Sequence, residues 1–146
     1  MIQRIQTLWL FLAAMLNGLL FIWQLFRYNY PNMVYSPWQY EGVRNYIPLM
    51  ILAALVTLMP LVTIFFFKDR KRQRGMVWLS ILSIVAFIAV ALMRASNLKN
   101  GSLSITNFEY VIPGILFPVA GMVFLVLALQ GIRKDDKLIK SLDRLR

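Results

Sequence analysis

Few residues of this 146-residue sequence carry side chains that could do chemistry. Histidine and cysteine are both absent, so the commonest general base and metal ligand and any thiolate nucleophile are missing. The long apolar stretches contain no Asp, Glu, Lys or Arg, the residues that mark ion paths and proton relays inside a membrane. The polar side chains of most interest within these stretches are uncharged: Asn17, Gln24 and Thr57.

Uncharged polar side chains inside apolar helices usually form hydrogen bonds across helix contacts. We interpret Asn17, Gln24 and Thr57 in this way, and the alternative is that they line a path for a solute. Glu41 lies between the first and second apolar stretches and Glu109 between the third and fourth. These are the only carboxylates that could serve an enzyme in those two loops, and nothing in the sequence positions them together. The sequence therefore predicts no catalytic residue, no metal site and no cofactor.

The elements that position these residues follow from composition. Hydrophobic residues make up 60% of the chain and charged residues 15%, whereas roughly a quarter of residues are charged in soluble domains. A helix needs about 20 apolar residues to cross a hydrocarbon core of about 30 Å. We expect one all-α domain, an antiparallel bundle of four transmembrane helices at about residues 7–26, 47–67, 75–93 and 110–129.

The cations predict the orientation. One lies before the first span, five lie in residues 68–74 and six in residues 131–146, against four in the other loops. Short cytoplasmic loops are enriched in Lys and Arg, so both chain ends should be cytoplasmic. The net charge of +10 then reflects topology and anionic lipid headgroups rather than nucleic acid. The cations predicted to contact lipid or a partner are Arg70, Lys71, Arg72, Arg74, Lys134, Lys137 and Lys140.

Two connecting segments have distinct compositions. The external loop at residues 28–46 is rich in Tyr and Trp, which favour the membrane–water boundary; an aromatic binding surface is the alternative. The basic tail at residues 131–146 places leucines on one helical face at Leu138, Leu142 and Leu145. It predicts a short amphipathic helix lying on the cytoplasmic leaflet.

Three segments of the sequence resemble those of a known protein family. They are MIQRIQT at residues 1–7, IFFFKDRKRQ at 64–73 and IRKDDKLIKSLDRLR at 132–146. Together they resemble a domain-of-unknown-function family of small four-span inner-membrane proteins from Bacteroidetes. The resemblance covers nearly the whole chain and implies a multi-pass protein of a bacterial inner membrane. It implies no activity for any residue.

These observations favour a non-catalytic interaction protein. We expect an accessory or assembly subunit whose spans pack on a larger membrane complex or on copies of itself, with the cationic face touching a partner or lipid. The alternative is a small channel or carrier for an uncharged or anionic solute, with Asn17 lining the path.

Overall fold

The computed structural model describes residues 2–29, 38–67, 69–100, 105 and 107–143. Within these ranges the α-helices are α1 (Ile2–Gly18), α2 (Ile47–Phe65), α3 (Arg70–Lys99) and α4 (Ile112–Asp143). The β-strands are β1 (Gln24–Asn29), β2 (Gln39–Gly42) and β3 (Asn107–Tyr110). Short 3-10 turns follow α1 at Leu19–Phe21 and precede α2 at Val43–Asn45.

Apolar composition decides where the helices form and what they expose. Helices α2, α3 and α4 are each long and apolar enough to cross a membrane, and α1 is a shorter apolar helix. Large apolar side chains point outward on them, with Phe65 79% and Ile112 76% exposed. Water-exposed surfaces do not usually carry so many large apolar side chains, so the exteriors of these helices suit lipid.

The four helices share one apolar core. Helix α1 packs most extensively against α4 and also against α2, while α2 packs against α3 and α3 less closely against α4. Each helix contributes a fully buried side chain to the core, namely Leu10, Leu49, Phe87 and Leu125. The four predicted helices are therefore present, with α3 running beyond its predicted end to Lys99.

A small sheet accompanies the helices, so the prediction of an all-α protein was incomplete. Strand β1 is central and pairs antiparallel with β2 on one side and β3 on the other. The buried ring of Phe26 lies 5.6 Å from the ring centroids of both Phe108 and Tyr110. Aromatic contacts and pairing on both edges stabilise the strand.

The prediction that the first helix continues to Phe26 was wrong. The α-helix ends at Gly18, and Gln24 begins β1 with an exposed side chain. A short apolar and aromatic run fits a buried helix or a strand equally well by composition. Here the segment forms a strand because its backbone pairs with β2 and β3. Gln24 is therefore not a polar residue of the first helix.

The predicted separate helix in the tail is the last part of α4, which continues without a break to Asp143. No proline follows Gly131, and the described glycines all have negative φ, so the usual left-handed helix stop is missing. A Cβ on Gly131 would lie 2.9 Å from Cγ of Gln6. Gly131 is therefore explained by the close approach of α1 rather than by a helix end.

Candidate interaction site at the basic end of the helices

The basic end is formed by the first turns of α1 and α3 together with residues 131–138 of α4. Helix α3 begins after Asp69, whose side chain accepts a hydrogen bond from the backbone N–H of Arg72 at 3.1 Å. This N-cap satisfies one donor of the first turn. Arg70 and Arg74 follow one helical turn apart, so both face α4.

Asp136 joins the two cationic segments. Its carboxylate lies 3.1 Å from Nη1 of Arg74 and 4.0 Å from Nη1 of Arg70. The side chain of Asp136 is only 17% exposed, so solvent screens these pairs less than pairs at an open surface. Asp136 therefore ties the start of α3 to the C-terminal part of α4.

Beneath these ion pairs lies a buried polar cluster. Gln6 donates a hydrogen bond from Nε2 to Oδ2 of Asp135 at 2.6 Å, and both residues are at least nine-tenths buried, as is Gln73. They line a cavity of about 10 Å³ beside Arg70. Within the described chain, Oδ1 of Asp135 and Nη1 of Arg70 have no hydrogen-bond partner. A cavity of this size and polarity suits one water molecule.

Further cations of the basic end are exposed among the described residues. Lys71, Lys134 and Lys137 are exposed, and in the part of the chain that the structure describes no carboxylate pairs with them. Arg72 is also exposed but pairs with Asp69 at 3.0 Å. These three lysines form what we call the lysine surface.

The seven predicted contact cations thus differ in their surroundings. Arg70 and Arg74 face Asp136 within the protein, and their contact with lipid or a partner stays a prediction. Lys71, Arg72, Lys134 and Lys137 are exposed, and the side chain of Lys140 lies outside the described residues. A long-range ion pair is not visible in local sequence, which is why the inward pair was missed.

Sequence reasoning also missed the polar residues that hold this end together: Gln6, Gln73, Asp135 and Asp136. The available signal was the pair of adjacent aspartates in an otherwise basic segment. Carboxylates near the C-terminus of a helix oppose its dipole. Acidic residues at that position therefore suggest a cationic or hydrogen-bonding partner on another helix.

The polar side chains of Asn17 in α1 and Thr57 in α2 form hydrogen bonds within their own helices, not across helix contacts as predicted. Asn17 is fully buried and donates from Nδ2 to the carbonyl oxygen of Ala13 at 2.8 Å. Thr57 donates to the carbonyl oxygen of Ala53 at 2.8 Å. Side chains of this type readily bond back to the carbonyl four residues earlier. The Asn17 carboxamide packs directly against Gly121 of α4 and lines neither the polar cavity of the basic end nor the larger apolar cavity between α3 and α4.

Among the described residues, the opposite end of the helices, which we call the sheet end, carries two ion pairs that differ in burial. Glu41 of β2 accepts a hydrogen bond from Nη2 of Arg94 at 2.9 Å and is 6% exposed. Arg27 of β1 pairs with Glu109 of β3, and both side chains are almost half exposed. Arg94 also lies over the ring of Tyr46 at 4.9 Å. The aromatic loop is thus partly an ordered sheet tied to α3, with residues 30–37 outside the described chain.

Among the described residues, no three acidic side chains are grouped closely enough to hold a metal ion.

Comparisons with known proteins place the chain in a family. A search of curated proteins and a search of solved structures found no match. A family model described as Domain of unknown function (DUF4293) matches residues 2–145, which confirms the resemblance to a family of unknown function. The chain belongs to the DUF4293 family.

Proposed function

We propose that this chain is a non-catalytic accessory or assembly subunit of a bacterial inner-membrane complex, with four membrane-spanning helices and a cytoplasmic lysine surface that contacts its partner. The observation that carries the proposal is the pairing of Arg70 and Arg74 with Asp136. These pairs hold the start of α3 against the C-terminal part of α4. Lys71, Lys134 and Lys137 remain exposed. A fixed cationic surface suits an acidic protein segment or anionic headgroups.

The length of contact between α1 and α4 supports α1 as the fourth span. Gln6 meets Asp135 at the basic end, and the ring of Trp23 lies 6.0 Å from that of Phe117 near the sheet end. The helical rise from Phe117 to Asp135 is about 27 Å, close to the hydrocarbon thickness of about 30 Å. α1 and the turn after it therefore cover nearly the same depth as the apolar part of α4.

The distribution of cations supports a cytoplasmic basic end. In the sequence, Arg4, five cations in residues 68–74 and six in residues 131–146 fall on one side of the predicted spans, and four cations fall in the other connecting segments. The connection between α2 and α3 is short, and short loops follow the charge rule best. Helix α4, with 32 residues, is about 48 Å long, so its basic end extends beyond the hydrocarbon core.

The carrier alternative has less support. It requires a polar path between the helices, and Asn17 is the residue that would have to face it. This side chain is fully buried and packs against Gly121. The larger cavity between α3 and α4 is lined almost entirely by apolar side chains, which does not suit a polar solute.

Photocrosslinking in cells tests the proposed function. A photoreactive amino acid replaces Lys71 or Lys134 on the lysine surface, and the exposed Tyr40 of the sheet end serves as the matched control. We expect both lysine positions to capture the same membrane-complex protein, or a second copy of this chain, and Tyr40 to capture neither. Capture of lipid alone from both lysine positions would contradict the accessory role.

A further inference from the structure

An apolar cavity of about 110 Å³ lies between α3, α4 and the sheet. Strand β1 contributes Leu25 and Phe26, α3 contributes Phe87 and Ala91, and α4 contributes Gly114 and Pro118. The lining is almost wholly apolar. An apolar cavity of this kind stays dry and binds apolar molecules.

The cavity exists because α3 and α4 pack less closely than the other neighbouring helices. Small residues line it on both sides: Ala91 on α3 and Gly114 on α4. Its rim includes Leu92, Ile115 and Val119, each about half exposed. The cavity therefore opens sideways between two helices, toward the surface that would face lipid acyl chains.

A cation lies beside the rim of this cavity. Nζ of Lys99, the last residue of α3, is 4.7 Å from the ring centroid of Phe108 and 5.2 Å from that of Tyr110. Tyr110 itself lines the cavity. Within the described chain no carboxylate pairs with Lys99, and the neighbouring Glu109 is bound by Arg27. Lys99 is thus a cation available to an anionic group.

The spacing of these features fits one molecule with an apolar chain and an anionic head. Lys99 lies two helical turns beyond Leu92, about 10 Å along the helix axis. The aromatic residues of the sheet end lie between the ammonium group and the apolar cavity, as is typical of the headgroup level of a membrane. An acyl chain could occupy the cavity while its phosphate remains beside Lys99.

We propose that this cavity binds one acyl chain of an anionic phospholipid, whose phosphate group contacts the ammonium group of Lys99. The site is distinct from the lysine surface, because it lies at the sheet end. The proposal rests on the membrane placement proposed above and is independent of the role of the basic end. The lipid would fill the space between α3 and α4 and so complete the packing of the helices.

Photoactivatable lipids test the proposal on the full-length protein. The protein is reconstituted in phosphatidylcholine vesicles carrying a minor fraction of phosphatidylglycerol with a diazirine in its acyl chain. After irradiation, mass spectrometry measures labelling at residues 87–92 and 110–119. We expect Ala91→Phe, which fills the cavity, to lower this labelling about fivefold or more. Ala89→Phe places the same side chain on the exposed side of α3 and should leave the labelling unchanged.

The headgroup contact is tested separately at the exposed Lys99, where glutamine removes the charge and keeps a polar side chain. We expect Lys99→Gln to lower the preference for phosphatidylglycerol over diazirine-labelled phosphatidylcholine about tenfold. Lys71→Gln, at the basic end, should leave that preference unchanged whether or not the lysine surface binds a partner. Labelling spread evenly over the lipid-facing helices and insensitive to Ala91→Phe, or an unchanged lipid preference in Lys99→Gln, would overturn the proposal.

Discussion

Replacing Gly114 with alanine should lower the free energy of unfolding by about 2 kcal/mol, because overpacking a tight contact typically costs 1–3 kcal/mol. A Cβ at this position would lie 2.9 Å from Cα of Leu25 and 3.0 Å from the carbonyl oxygen of Gln24. These are backbone atoms of β1, where Gln24 pairs with Gly42 of β2 and the carbonyl oxygen of Leu25 accepts a hydrogen bond from the backbone N–H of Val111 at 3.0 Å. The measurement is unfolding of the purified protein in mixed micelles by titration with a denaturing detergent.

Gly75 is the matched control for this experiment. It also lies within a helix, and a Cβ there would meet nothing within 4 Å. Alanine has a higher helix propensity than glycine, so Gly75→Ala should be neutral or stabilise the protein by up to about 1 kcal/mol. Equal stability of Gly114→Ala and Gly75→Ala would contradict the close contact between α4 and β1.

Replacing Arg94 with leucine should also destabilise the protein strongly. The change leaves the carboxylate of Glu41, which is 6% exposed, without its guanidinium partner. Removing one member of a buried pair typically costs 3–5 kcal/mol, and we expect about 3 kcal/mol because the Arg94 side chain is 29% exposed. The double variant Glu41→Gln/Arg94→Leu should recover more than half of this loss, as measured by the same unfolding titration.

The second ion pair of the sheet end supplies the control. Arg27→Leu breaks the pair with Glu109, whose side chain is 49% exposed, and exposed pairs contribute at most about 1 kcal/mol. Equal losses from Arg27→Leu and Arg94→Leu would show that burial does not distinguish the two pairs. Failure of the double variant to recover stability would show that Arg94 acts through packing rather than charge.

Hydropathy was sufficient to predict the helices but not the sheet. The helical stretches are long and apolar, and this signal is local in the sequence. The pairing of Phe26 in β1 with Tyr110 in β3 joins residues more than half the chain apart, and no local pattern reveals it. The run that ends in Phe26 is compatible with a helix or a strand, so the error at the end of the first helix and the missing strands have the same cause.

The candidate site was predicted at the level of charge but not of contacts. Clustered cations predicted that Lys71, Lys134 and Lys137 contact lipid or a partner, and the structure shows these side chains exposed. The sequence could not show that Asp136 holds Arg70 and Arg74, because that pairing depends on how α3 packs against α4. Likewise, the burial of Asn17 against Gly121 depends on the register between α1 and α4, which composition does not specify.

Cysteine accessibility tests the membrane arrangement most directly, because the chain has no native cysteine. Single cysteines at Ile5 and Lys71 probe the basic end and one at Tyr40 probes the sheet end, and all three positions are exposed on the protein. In intact cells whose outer membrane is permeable to an impermeant maleimide, we predict labelling of Tyr40→Cys alone. Ile5→Cys and Lys71→Cys should react only after the inner membrane is disrupted. Labelling of Ile5→Cys and Tyr40→Cys from the same side would contradict α1 as a span, and labelling of Lys71→Cys in intact cells would contradict a cytoplasmic basic end.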